Sequence, residues 1–451
     1  MRDFTKGDVG AHVLQLSAFI ALTTFFQTLY LVVDMYFVGR LGKEAVAGVA
    51  LSGNLMMIVL ALTQALGVGA TSLIAQALGR RDRDRAEIVF NQTLVVSTIV
   101  AFGFAVLTFL LRGVYSRWLA ADPVTAARSV EYLNWFIPAM SLQFLLVGMG
   151  AALRGSGDMK MPTLIQVATV LANMVLAPLF MFPLGMGVAG AACASFVAIL
   201  FGLVAFVVYF ERPASLLKFR RSDWKPQPRL WGEMLKVGLP VGGEFGLISV
   251  YMMLVYSVLR PFGAAAQAGF GIGVRIMQSL FLPSVAIGFA TAPIAGQNFG
   301  ARQGDRVRQT FAAAAKMSAA VMTLGTLVCH IAPAAMIAFF NPDPAVVGFG
   351  TEYLRIVSWM FVASGMIFVS SSVFQGMGNT LPALGSSALR LLLFALPVLV
   401  LSHQAGFQIR HVWYLSIVTT LIQMSVSLWL LRREFARRLD FESMVHPVPS
   451  V

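Results

Sequence analysis

Apolar residues in this chain do not alternate with polar ones. They run on for twenty positions and more, then stop at polar or Gly/Pro punctuation. The runs fall at 13–39, 46–78, 88–111, 129–153, 161–183, 187–210, 234–259, 266–298, 309–331, 349–374, 381–402 and 411–431. Each reaches the roughly 20 residues that a helix needs to cross a bilayer, and the longer ones predict tilts or kinks. The pattern predicts an all-α integral membrane protein with twelve spans and both chain ends on one side. The longest polar stretch, ERPASLLKFRRSDWKPQPRLWGE at 211–233, falls near the middle. It is basic, carries prolines and lacks helical period, so it reads as a linker. The expected layout is an N-terminal six-helix lobe (1–210), a cytoplasmic linker (211–233) and a C-terminal six-helix lobe with a basic tail (234–451).

Composition excludes other classes. The 451 residues are 58% apolar and 12% charged, whereas a soluble domain is about a quarter charged. An ordinary soluble enzyme, a disordered chain and a disulfide scaffold are ruled out. Cys193 and Cys329 lie in apolar runs without metal-type spacing and read as packing residues. The apolar run after MRDFTKGDVGAHV is too long for a signal-peptide core and reads as the first span.

The net charge of +13 would suggest nucleic acid in a soluble protein. Here its placement matters more. With the N-terminus cytoplasmic, about 21 of the 33 basic residues fall in cytoplasmic segments, against about seven in the opposite loops. Arg2, Lys6, the Arg80–Arg85 group, the linker, Arg302–Arg308 and Arg432–Arg438 carry this bias. It predicts cytoplasmic termini and accounts for the charge without nucleic acid.

A repeat at an offset of 221 residues is the most informative feature. Gly42, Ala45, Gln76, Gly79, Arg81, Asp84 and Arg85 recur as Gly263, Ala266, Gln297, Gly300, Arg302, Asp305 and Arg306. Glu131-Tyr132-Leu133 recurs as Glu352-Tyr353-Leu354, and Gly155 and Gly157 as Gly376 and Gly378. Six spans per half is an even number, so the halves share one topology. They should be related by a pseudo-two-fold axis along the membrane normal, the layout of an alternating-access carrier.

The segments VDMYFVGRLGKEAVAGVAL (33–51), IAQALGRRDRDRAE (74–87), LRGSGDMKMP (153–162), GLPVGGE (238–244), AAQAGFGIGVRI (265–276), PIAGQNFGAR (293–302) and FQGMGNTLP (374–382) resemble the bacterial multidrug and toxic compound extrusion family, MATE. The resemblance runs from about 15 to 430 and rests on the order and spacing of the motifs together. It implies export of drugs and organic cations in exchange for H⁺ or Na⁺, with no other cofactor. It also implies a multi-pass protein of the bacterial inner membrane, expected as a monomer.

Only two of the 20 acids, Asp34 and Glu244, lie well inside spans. A charge at the centre of a membrane helix costs roughly 2.5–3.5 kcal/mol or more, which makes such acids functional candidates. Thr23, Gln27, Tyr30 and Asp34 are spaced 4, 3 and 4 apart and share one helix face. The family resemblance implies that Asp34 is the coupling carboxylate. Asn173, on a face with Gln166 and Thr169, is placed to bond Asp34, and Ser195 matches a hydroxyl position of the same network. Some family members carry an Asp where this chain has Ala177. Glu244 follows Pro240 by one turn; relatives carry a Glu in this span, typically one turn later, so the resemblance implies a second cation-coupling acid, and Arg275 in the next span is its expected ion-pair partner. The Asp that some relatives use in span 10 has only hydroxyl counterparts here. Arg390 is a further base inside a span. Polar packing seams and a purely structural ion pair remain alternatives for these residues.

No Walker A motif and no Ser-His-Asp or metal constellation is present, so the chain reads as a transporter rather than an enzyme. A carrier of the major facilitator type, or a lipid or polysaccharide flippase of related fold, is the alternative reading.

Overall fold

The computed structural model describes residues 3–441, apart from Ala121, Ala214, Ala405 and the side chains of Leu31, Val32 and Lys43. Arg2 and the tail beyond 441 lie outside the described residues. Fifteen α-helices follow one another: α1 (Val9–Gly39), α2 (Lys43–Leu51), α3 (Gly53–Gly79), α4 (Arg83–Leu119), α5 (Pro123–Gly155), α6 (Lys160–Met181), α7 (Gly187–Phe210), α8 (Pro228–Leu259), α9 (Ala264–Gly300), α10 (Gly304–Ile331), α11 (Pro333–Ala338), α12 (Pro344–Val357), α13 (Phe361–Gly376), α14 (Leu381–Leu401) and α15 (Ile409–Arg438). They compose the twelve expected spans, each long and apolar enough to cross a bilayer. Most helices outrun their apolar runs, because polar caps extend them into the loops. Asp82 accepts from the Arg85 N–H at the start of α4, and Asp122 accepts from the Thr125 N–H at the start of α5.

The chain separates into two compact units: residues 1–3 with 19–239, and 4–18 with 240–451. Both divisions fall inside helices, α1 and α8, so each unit holds the opening turns of the other's first long helix. In the first unit, Arg85 Nη2 bonds Glu233 Oε2 at 2.6 Å, and Gln92 Oε1 accepts from the Gln227 N–H at 3.1 Å and Trp231 Nε1 at 2.8 Å. In the second unit, the repeat partner Arg306 donates from Nη2 to the Phe4 and Gly7 carbonyls, both at 3.0 Å. Asn298 Nδ2 donates to the same Phe4 carbonyl at 3.2 Å.

The linker is tied down. Glu87, almost fully buried, pairs with Arg83 at 3.1 Å and with Arg220 at 2.6 Å. Asn91 Oδ1 accepts from the Arg220 N–H and from Trp224 Nε1, both at 3.1 Å. The hydrogen bond to Asp84, followed by the Glu87 charge, pushes the Arg220 guanidinium above its ordinary pKa. A 3₁₀ turn, Arg221–Trp224, forms within the linker.

The repeat has a structural meaning. Arg81 and Arg302 are the non-glycine residues with positive φ among those described, at 61° and 58°. Each closes the helix before it with a return bond, from the Asp82 N–H to the Ala77 carbonyl and from the Gln303 N–H to the Asn298 carbonyl, both 2.9 Å. Close helix contacts recur as well. A Cβ on Gly155 would lie 2.8 Å from the Thr71 carbonyl oxygen, and one on Gly376 would lie 2.5 Å from that of Ala292. Thr71 and Ala292 are themselves 221 residues apart. Lipid gives helices no hydrophobic reason to associate, so close backbone approach at small residues holds such bundles together. Aromatics fill each core: Phe90 stacks on Phe210 at 4.5 Å in one unit, and Trp413 stacks on Phe270 at 5.5 Å in the other.

Candidate functional site

The first unit gathers its polar groups where α1, α6 and α7 meet. The Tyr30 hydroxyl and Ser195 Oγ are 3.3 Å apart, and Asn173 Nδ2 donates to Ser195 Oγ at 2.9 Å. Ser195 also reaches back to the Ala191 carbonyl at 3.2 Å. The structure thus brings together Tyr30, Asn173 and Ser195 from three separate helices. Asp34, one helical turn after Tyr30, is buried and lies within electrostatic range of Tyr30 and Tyr132. Its Oδ1 and the Asn173 Oδ1 are buried without a hydrogen-bond partner. The expected Asn173–Asp34 bond is not formed: the Asn173 amide is spent on Ser195 of α7. Thr23 bonds Thr163 at 3.3 Å, and Gln27 is exposed.

The second unit builds a different site. Glu244 lines a cavity of about 310 Å³ walled by α8, α9, α12, α13, α14 and α15. The Ser371 hydroxyl lies within hydrogen-bonding reach of the carboxylate, while Glu244 Oε1 is buried without a partner. Arg275 is exposed and does not line this cavity, so the expected Glu244–Arg275 pair is replaced by another arrangement. The base that shares the cavity is Arg390 of α14. Its guanidinium carbon lies 5.0 Å from the centroid of Tyr251, and its Nε has no hydrogen-bond partner. The helices α8 and α14 touch directly, since a Cβ on Gly243 would meet Leu384 at 3.3 Å. Consecutive spans suggested Arg275, but its face of α9 is turned away while its neighbours Ile276 and Met277 are buried.

The cavity residues missed by sequence reasoning include Tyr251, Tyr353, Gln278, Ser387 and Gln423. The 221-residue offset could have found the first two, since it carries Tyr30 onto Tyr251 and Tyr132 onto Tyr353. It also carries Ser195 onto Ser416, and the Tyr251 hydroxyl lies 2.9 Å from Ser416 Oγ. The Tyr–Ser contact is a repeated part of the fold.

Comparison with known proteins gives a consistent picture. The family model described as MatE matches residues 20–179 and 240–401. The chain is 27% identical to the probable multidrug resistance protein YpnP of Bacillus subtilis (strain 168), over 85% of this chain and 86% of that one. It is 23% identical to the multidrug export protein MepA of Staphylococcus aureus (strain N315), over 95% of each. It is 21% identical to an FAD transporter of Shewanella oneidensis, over 82% of each. Its fold is similar to a solved MATE in the bent conformation, with a TM-score of 0.91 at 23% identity and 98% coverage of both chains.

Proposed function

Since the chain belongs to the MatE family, and is therefore a multi-pass membrane transporter of small molecules, we propose that it exports drugs and organic cations by cation-coupled antiport, with Asp34 as the coupling carboxylate. The family match displaces the major facilitator alternative. The observation that carries the proposal is the Asp34 carboxylate itself: a buried acid with an unpartnered oxygen, beside a bonded Tyr30–Ser195–Asn173 cluster, on a helix that crosses the membrane.

An ionised carboxylate at this depth is costly unless something positive meets it. Asp34 therefore has two states, one holding the coupling ion and one holding the charge of an organic cation. Arrival of H⁺ or Na⁺ cancels the charge that retained the cargo, and the cargo leaves. An ion shifts a conformational equilibrium only through its different affinity for the two states. Asp34 supplies that difference when its surroundings change between them. Tyr30, Ser195 and Asn173, bonded to one another beside the carboxylate, offer hydroxyl and amide oxygens for the ion. In this scheme both termini and the 211–233 segment face the cytoplasm of a bacterial cell, and a single chain suffices.

The test is uptake of a fluorescent organic cation into inverted vesicles at matched expression. Asp34→Asn keeps shape and hydrogen bonding but removes the charge. It should insert normally and lose gradient-driven uptake. Wild-type uptake by Asp34→Asn would place coupling elsewhere.

A further inference from the structure

The 310 Å³ cavity of the second unit falls in the size range of small-molecule sites, roughly 300–1,000 Å³. Its walls are mostly apolar, with Met277, Phe281 and Phe368 among them. Polar groups enter from four sides: Glu244 on α8, Ser371 on α13, Arg390 on α14 and Gln423 on α15. Three of these have unused hydrogen-bonding capacity, at Glu244 Oε1, Arg390 Nε and Gln423 Oε1. Gln423 is fixed by its other end, which donates to Ser387 Oγ at 3.1 Å. Arg390 is held against the Tyr251 ring, and that ring is anchored through its hydroxyl to Ser416. Polar groups left unbonded away from water are destabilising, and charges more so.

The repeat indicates that this equipment is specific to one unit. At the 221-residue offset, Glu244, Ser371, Arg390 and Gln423 correspond to Thr23, Gly150, Thr169 and Gly202. At the position of Gln423 the first unit has no room for a side chain, because a Cβ on Gly202 would lie 2.6 Å from Thr169 Oγ1. One acid and one base share this cavity in the second unit alone.

We propose that this cavity binds a zwitterionic organic molecule, with its cationic group on Glu244, its anionic carboxylate or phosphate on Arg390, and a flat apolar body against the wall that Phe281 and Phe368 form. A simple cation would gain Glu244 but face Arg390, and a simple anion would meet the converse. Only a molecule carrying both charges satisfies both groups. Arginine suits the anionic end because its planar fork matches a carboxylate or phosphate. Calling the molecule cargo rests on the transport reading above; its binding does not.

The probes are an unalkylated rhodamine free acid, which carries both charges, and its methyl ester, a cation of nearly the same size. Binding to the purified full chain in detergent is read by fluorescence anisotropy without any ion gradient, so a failure of ion coupling leaves this result untouched. The wild type should bind the free acid about tenfold more tightly than the ester, the scale of a charge-assisted hydrogen bond. Arg390→Gln should erase that preference while keeping ester binding, which also shows that the variant is folded. Glu244→Gln should weaken both probes. If Arg390→Gln does not fold, the wild-type preference alone decides. Equal affinities in the wild type, or a free-acid preference that survives Arg390→Gln, would overturn the proposal and leave Glu244 and Arg390 as structural charges.

Discussion

The opening helix of each unit carries the same face with different chemistry. In the first unit the face reads Thr23, Gln27, Tyr30, Asp34; at the repeat offset the second reads Glu244, Ile248, Tyr251, Val255. The tyrosine is common to both and touches a serine in both, Ser195 and Ser416. The acids are not equivalent. They occupy opposite ends of the face, eleven positions apart, which is about 16 Å along a helix axis. Around the shared tyrosine the surroundings diverge too. Asn173 of the first unit corresponds to Phe394 of the second, and Phe394 packs its ring 4.8 Å from Tyr251. One unit carries its acid beyond the tyrosine and the other before it. Duplication has supplied a frame with two separate places for charge, and each unit uses one.

The sharpest way to break this comparison is to attack the part that should be identical. Gly155→Val and Gly376→Val each drive a side chain into a facing backbone carbonyl. Each should destabilise the folded protein by about 1–3 kcal/mol or more and lower the yield of monodisperse protein in detergent, to a similar degree in both units. A large loss in one unit with none in the other would show that the shared frame does not bear equally on the two.

Next come the parts that should differ. Tyr30→Phe removes a hydroxyl from the cluster beside Asp34 and should slow gradient-driven transport by about tenfold if the bond is worth the usual 1–1.5 kcal/mol. Tyr251→Phe keeps the ring against Arg390 and removes only the Ser416 contact. It should lower the thermal midpoint slightly and leave gradient coupling in place. Equal transport losses in the two variants would argue that the tyrosines share one role.

A smaller effect tests orientation. A cysteine at Ser222, in the clamped linker, should resist an impermeant thiol reagent in intact cells and react after permeabilisation. Labelling from outside would reverse the topology. The companion position Ser443 lies outside the described residues.

The spans and the repeat were legible because lipid leaves little freedom. A crossing helix must be long and apolar, so its run stands out, and a left-handed turn or close contact keeps its residue type in both copies, as at Gly157 and Gly378 with φ of 85° and 74°. Asp34 was legible by scarcity, as one of two acids deep in spans. The Tyr30–Ser195–Asn173 contacts were partly legible, because helical spacing puts side chains on faces but does not say which face meets which. The same limit misplaced the partner of Glu244. Sequence order favoured Arg275 on the next span, whereas helix rotation turned it outward and brought Arg390 in from a distant one. The clamped linker was not legible either: its grip depends on Glu87 meeting the Arg220 side chain and on Asn91 and Gln92 presenting polar groups to backbone far along the chain.

The central claim is that ion coupling belongs to Asp34 of the first unit, while Glu244 of the second adds a charge site for the ligand that does not carry coupling. The most direct measurement is uptake of an organic cation into inverted vesicles with a pH gradient and a Na⁺ gradient imposed separately, for the wild type, Asp34→Asn and Glu244→Gln side by side. The account predicts that one gradient drives both the wild type and Glu244→Gln, with Glu244→Gln needing more substrate to reach the same rate, and that neither gradient drives Asp34→Asn. Gradient-driven uptake by Asp34→Asn at the wild-type rate, together with its loss in Glu244→Gln, would contradict the account and move coupling to the second unit.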